Sequence, residues 1–207
     1  MENKNRTPLK FAWQLFLRAI IAAFLSMFIC FTCSALMENS LEGKIFTGLV
    51  TVGFSGVLIY LHAWSVGDLD ANAIQFGRAE KDPWKGLKAA LLLTLFLMSF
   101  SIPLALSMLK ILPFDFMPFY RLLDSPFWPI INIIHPYGAI AKAEILETET
   151  TVYQAATAGL TWGKFWLISI LPALYIPFTV IGYSLGLKRF SISQKVVYKS
   201  SGKENKK

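Results

Sequence analysis

The chain has 207 residues, of which 55% are hydrophobic and only 16% charged. That balance leaves too little polar surface for a soluble domain and fits a single polytopic membrane domain. A net charge of +7 would otherwise point to nucleic acid, but the basic residues gather in particular connections, which a membrane explains and which excludes nucleic acid as the expected partner.

Four apolar stretches set the architecture: residues 19–36, 45–66, 89–109 and 165–187. At about 1.5 Å of rise per residue even the shortest approaches the roughly 30 Å hydrocarbon thickness. Lipid offers no partner to a backbone N–H or C=O, so each stretch must close its own hydrogen bonds as an α-helix. The expected fold is therefore all-α: a four-helix transmembrane bundle, with a broken interfacial or re-entrant segment between the third and fourth helices.

Thr7-Pro8 opens the first helix with a capping hydroxyl and a residue that lacks an N–H to satisfy. The apolar run of eighteen residues that follows is longer than the 7–15 residues usual for a signal-peptide core, which predicts an uncleaved anchor. Arg18 lies about one turn into the apolar part of this helix and is expected to snorkel toward the headgroups, the alternative being a salt bridge to the loop after the second span. Ala22, Ser26, Cys30 and Ser34 recur every fourth residue. In the second span Thr47, Thr51 and Ser55 keep the same rhythm. Small residues at this spacing let helix backbones approach, either within the bundle or against a second subunit. Cys30 and Cys33 form a C-x-x-C pair, but in an apolar helix the reactive thiolate is suppressed, so both read as packing residues and no metal site is expected.

The connection after the second span carries Asp68, Asp70, Asn72 and Arg78. Its opening resembles a calcium-binding EF-hand loop, yet Ala73 stands where the sixth-position glycine belongs and Ala79 where the glutamate belongs. The expected structure is a short amphipathic helix capped by Asp68, ended by Gly77 and lying along the membrane surface, whose polar residues could meet a cation, a headgroup or a partner. Asp82-Pro83 marks the start of the third helix, and Pro103 predicts a bend within it.

Residues 111–140 hold five of the ten prolines and seven aromatic side chains, a mixture that forbids a continuous helix and resists solution. Ser125-Pro126 is a further cap-and-proline pair, and Trp128, Asn132 and His135 follow as a candidate outer pocket. The fifteen residues from 127 to 141 are too few and too polar for a fifth crossing. Residues 142–163 read as a solvated approach to the fourth span, which contains Pro172 and Pro177 and ends in Gly182-Tyr183-Ser184-Leu185-Gly186. The polar tail 191–207 is basic.

With the N-terminus placed in the cytoplasm, fifteen basic residues fall inside and five outside. This asymmetry predicts both termini cytoplasmic. Trp13, Trp64 and Trp84 then lie at the inner boundary, and Trp162 and Trp166 at the outer one.

Gly67-Asp68-Leu69-Asp70-Ala71-Asn72 with Gly77-Arg78, Trp84-Lys85-Gly86-Leu87-Lys88, and the run from Gly182 to Lys188 resemble patterns in small uncharacterised multi-pass membrane proteins of Gram-positive bacteria. The resemblance implies a bacterial plasma membrane and brings no activity or site residues with it. No nucleophile, acid–base pair or cofactor motif is assembled by the sequence, and no catalytic residue is expected. Apart from Arg18 and His62 the spans carry no ionisable group in their middles, which argues against ion-coupled transport. Two functions follow: an accessory or scaffold subunit that associates through Gly182, Gly186 and the other small residues with a second copy or another membrane protein, or a small-molecule-binding, permease-like component built on the outer broken segment. Lipid is the expected partner in either case, and no cofactor is expected.

Overall fold

The computed structural model describes residues 7–136, 157 and 159–189, without the side chains of residues 38 and 39. Among the described residues every regular element is helical. The basic tail 191–207 and most of the expected approach 142–163 lie outside them.

Four helical stretches are long and apolar enough to cross a membrane: Pro8–Thr32, Leu41–Gln75, Lys85–Met108 and Trp162–Leu187. They form the expected membrane bundle, and three of them begin or end well beyond the apolar runs. The reason is that a helix continues past lipid wherever caps and propensity allow, whereas apolarity marks only the buried part. The first helix, α1 (Pro8–Thr32), starts on Thr7, whose hydroxyl accepts from the Lys10 amide at 3.3 Å. It stops at Cys33, so Ser34 belongs to a separate short helix, α2 (Ser34–Asn39), and not to the first span. Ser40 then caps α3 (Leu41–Gln75), its hydroxyl accepting from the Gly43 amide at 2.9 Å.

With 35 residues, α3 is roughly 52 Å long at 1.5 Å per residue and overshoots the hydrocarbon layer. Asp68 is therefore not the cap of a surface helix. It lies inside α3, which continues unbroken until Gly77, in the left-handed conformation at φ +64°, terminates it. The helix runs through Gly67 because that glycine is a contact: a Cβ there would overlap the Tyr183 carbonyl of the fourth span.

The third span is divided into α4 (Lys85–Met98) and α5 (Ser101–Met108), with Pro103 unable to donate back to the Ser99 carbonyl. The fourth is α8 (Trp162–Ser169), a 3-10 turn at Leu171–Leu174 and α9 (Tyr175–Leu187), with Pro172 in the turn. Between these two spans lie α6 (Met117–Leu123), a 3-10 turn at Ser125–Phe127 and α7 (Trp128–Ile134). The bundle has a proximal end, formed by Pro8, Gln75, Lys85 and Leu187, and a distal end, formed by Thr32, Leu41, Met108 and Trp162.

Trp13 and Trp84 are exposed near the proximal end, and Trp162 and Trp166 near the distal end, as two interfacial belts require. Arg18 is exposed on α1 and makes no salt bridge among the described residues, which leaves its head free to rise toward the membrane surface.

Candidate functional site

The small residues proposed for packing are mostly used inside the chain. Ala22, Ser26, Cys30, Thr47, Thr51 and Ser55 are buried, while Ser34 is exposed on α2 and leaves the stripe. Gly182 and Gly186 face α3: a Cβ on Gly182 would stand 2.6 Å from the Tyr60 carbonyl oxygen, and one on Gly186 would overlap the Trp64 carbonyl. Backbone-to-backbone packing of this kind holds membrane helices together where apolar side chains gain little by leaving lipid. These glycines thus face the second span of their own chain.

At the proximal end the polar residues expected in a connection join three helices. Asp70 accepts from Lys85 Nζ at 2.6 Å and from the Tyr183 hydroxyl at 3.0 Å, tying α3 to α4 and α9. Arg189 donates to Asn72, and its Nε lies 4.0 Å from an Asp68 carboxylate oxygen. Asp82 accepts from the Trp84 amide at 3.0 Å and from Lys88 at 3.0 Å. Lys88, beside it, holds the Asp82 carboxyl below its usual range. Arg78 lies apart, over the Phe76 ring at 5.7 Å. A cavity of about 730 Å³ opens among these groups, with Asp70, Asn72 and Arg78 on its wall, whereas Asp68 does not line it.

The distal end is built differently, because the proline-rich segment turns into the bundle. The Ser125 hydroxyl is not a cap: it donates to the Ala23 carbonyl of α1, and the Cys30 thiol donates to the Ser125 carbonyl at 3.5 Å. On the other side Thr51 of α3 donates to the Pro126 carbonyl at 2.7 Å, and Phe127 packs on Tyr175 of the fourth span at 5.2 Å between ring centres. Counting turns from the distal ends of α1 and α3, Ala23 and Thr51 lie roughly 14–15 Å inside the bundle, while Cys30 is within a turn of its end. The hairpin of α6 and α7 therefore folds in among the helices. Proline suits this tip, where it removes a donor that no lipid could satisfy.

The tip carries Asp124, which is only 5% exposed. Its Oδ2 has no hydrogen-bond partner among the described residues. The Tyr120 hydroxyl, one turn back on α6, lies beside this carboxyl and the Ser101 hydroxyl. Tyr175, also in reach of the Asp124 charge, lies beside Ser55. The bundle interior therefore holds an ionisable group that lies outside the four spans. Charge within the four apolar runs does not reveal it; the signal in the amino-acid order is a carboxylate set between Leu122-Leu123 and Phe127-Trp128.

Of the three residues proposed for an outer pocket, Trp128 and Asn132 line a distal cavity of about 460 Å³, joined there by Lys44 and Arg121. His135 does not reach it. That residue is buried, and its carbonyl accepts from Arg121 Nη2 at 2.8 Å, which fixes the guanidinium of a side chain only 3% exposed. The buried Asn132 Oδ1 has no hydrogen-bond partner among the described residues. Among those residues no three His, Cys, Asp or Glu side chains meet in a metal-binding cluster.

No protein-family model, curated protein or solved structure matches the chain.

Proposed function

We propose that this chain is a small-molecule-binding, permease-like component of a bacterial plasma membrane, with both termini cytoplasmic and its ligand site in the distal cavity beside the re-entrant hairpin. The hairpin is the observation that carries this reading. Its tip places a buried carboxyl with an unpartnered oxygen within the bundle. Intramembrane ionisable residues are expensive and are kept where a substrate or ion path needs them. Broken helices flanking such a group are also the architecture that transporters use to reach backbone and side-chain polar groups from the membrane interior. Orientation rests on the fifteen-to-five asymmetry of basic residues.

Association with a second copy or another membrane protein is the weaker reading, since Gly182, Gly186, Thr47, Thr51 and Ser55 are used within the chain. The test is a thermal-shift screen of the purified full chain in mild detergent against small molecules of different charge and size. A ligand should raise the unfolding midpoint, and Trp128→Ala or Asn132→Ala should remove most of that rise while leaving the unliganded midpoint within a few degrees. A screen in which nothing binds, or in which both variants respond like the wild type, overturns the proposal.

A further inference from the structure

We propose that the hairpin tip holds a monovalent alkali cation, bound by the Asp124 carboxylate with the Tyr120 and Ser101 hydroxyls as neutral oxygen ligands. The site is separate from the distal cavity and does not depend on an organic ligand binding there.

Several elements bring oxygen atoms to this point. Asp124 ends α6, and its buried Oδ2 has no hydrogen-bond partner among the described residues. The Tyr120 hydroxyl, on a side chain only 1% exposed, lies beside both this carboxyl and the Ser101 hydroxyl of α5. Ser101 is buried as well, and its Oγ has no hydrogen bond of good geometry among the described residues. Tyr175 of the fourth span, beside Ser55 of α3, is also within reach of the Asp124 charge.

Charge counting selects the ligand. A carboxylate taken out of water without a compensating charge costs more than a fold can readily supply. Among the described residues Asp124 has no ion pair, the three that form lying at the proximal end. Arg121, three residues back on α6, is held by the His135 carbonyl. No second acidic side chain acts on Asp124 among the described residues, so one positive charge balances the tip and a divalent ion would leave an excess of its own. Alkali ions take carboxylate, hydroxyl and carbonyl oxygens and need neither His nor Cys, so the site does not require a cluster of those residues. The end of a short helix packed inside a bundle is also where the helix dipole is negative and where membrane proteins hold such ions.

The test uses the full chain in mild detergent near neutral pH at constant ionic strength. Choline chloride is replaced stepwise by sodium or potassium chloride, and the thermal midpoint and the ion retained in equilibrium dialysis are read. Sodium or potassium should raise the wild-type midpoint by about 5 °C at saturation, and choline should not. Asp124→Asn, which keeps the shape of the side chain and removes its charge, should abolish both the rise and the retained ion. Ser101→Ala and Tyr120→Phe each remove one oxygen ligand and should raise the half-saturating concentration about 10-fold. Glu42→Gln, at an exposed carboxylate near the distal end, should respond as the wild type does. Equal midpoints in choline, sodium and potassium overturn the inference, and a wild-type midpoint that then moves with pH, but not in Asp124→Asn, assigns the carboxyl a proton in place of a metal ion. Calcium or magnesium acting in place of the alkali ions overturns it through the charge count. An alkali effect that survives Asp124→Asn, or an unchanged half-saturation in both hydroxyl variants, overturns it through the site; the hydroxyl variants decide alone if Asp124→Asn does not fold. An alkali response with no organic ligand found in the wider screen leaves the cation site standing and overturns the ligand-binding reading. A ligand that needs Trp128 and Asn132, with no alkali response, does the reverse.

Discussion

At the proximal end Asp70 accepts from both Lys85 and Tyr183, whereas around the hairpin Asp124, Asn132, Ser26 and Thr47 each keep a buried oxygen with no hydrogen-bond partner among the described residues. Both regions join several helices, and both are rich in polar atoms. The difference is satisfaction. A buried polar group that has its partner holds a fold together, while one without costs about 1–3 kcal/mol and persists where something else requires it. The proximal cluster therefore reads as a clasp and the hairpin region as a place prepared for a ligand, water or a proton. Substitutions at the two ends should differ in sign as well as in size.

The largest effect is expected beside the clasp. Gly186→Leu would drive a side chain into the backbone of α3 at Trp64 and Gly67, a contact with no flexible neighbour to yield. Overpacking commonly costs 1–3 kcal/mol, and with backbone on both sides we expect more than about 3 kcal/mol. The protein should lose its monodisperse peak in size-exclusion chromatography and its cooperative melt. Gly53→Leu, at a position where an added Cβ meets nothing within 4 Å, should keep both and serves as the control. If Gly186→Leu keeps its midpoint and only changes oligomeric state, the glycine face belongs to a subunit interface and the contrast drawn above fails.

Asp70→Asn comes next. It leaves Lys85, whose side chain is only 12% exposed, without its charged partner. Removing one member of a fully buried pair costs 3–5 kcal/mol; partial access to water reduces this to about 2 kcal/mol. For a chain of this size that is a fall of roughly 4–8 °C in the melting midpoint. The double variant Asp70→Asn with Lys85→Met should recover part of the loss, because it removes the stranded ammonium. A midpoint unchanged by Asp70→Asn would mean that the clasp holds nothing.

These two regions also differ in how far the amino-acid order reveals them. The four crossings were readable because lipid imposes one demand, an apolar run of sufficient length, and residues 8–32, 41–75, 85–108 and 162–187 meet it. Gly182 and Gly186 were readable as packing residues from spacing alone, but not which helix they meet; that depends on Gly67, which looked like the start of a loop. Gly77 ended a helix as expected, yet the helix was the second span itself and not a separate surface element. For the hairpin, composition forbade a continuous helix without saying where the segment would go. Its depth is fixed by tertiary hydrogen bonds from Ser125 and Thr51, residues 74 positions apart that read locally as a cap and a packing residue. Asp124 and Arg121 are not legible for the same reason: their burial is a property of the hairpin's position, and no local pattern encodes it.

Asp124→Asn should have the smallest effect on stability, and the opposite sign. The substitution keeps the shape of the side chain and replaces a buried carboxyl whose Oδ2 has no hydrogen-bond partner among the described residues. An amide is cheaper to hold away from water than a carboxyl without its full set of partners, so the variant should equal wild type or exceed it by up to about 1 kcal/mol. Thermal melts of the two proteins in one detergent with choline chloride at pH 7 give the comparison directly. A variant clearly less stable than wild type would mean that the Asp124 carboxyl is satisfied in the fold, and the hairpin would then join the proximal clasp as a structural device, leaving no contrast between the two ends.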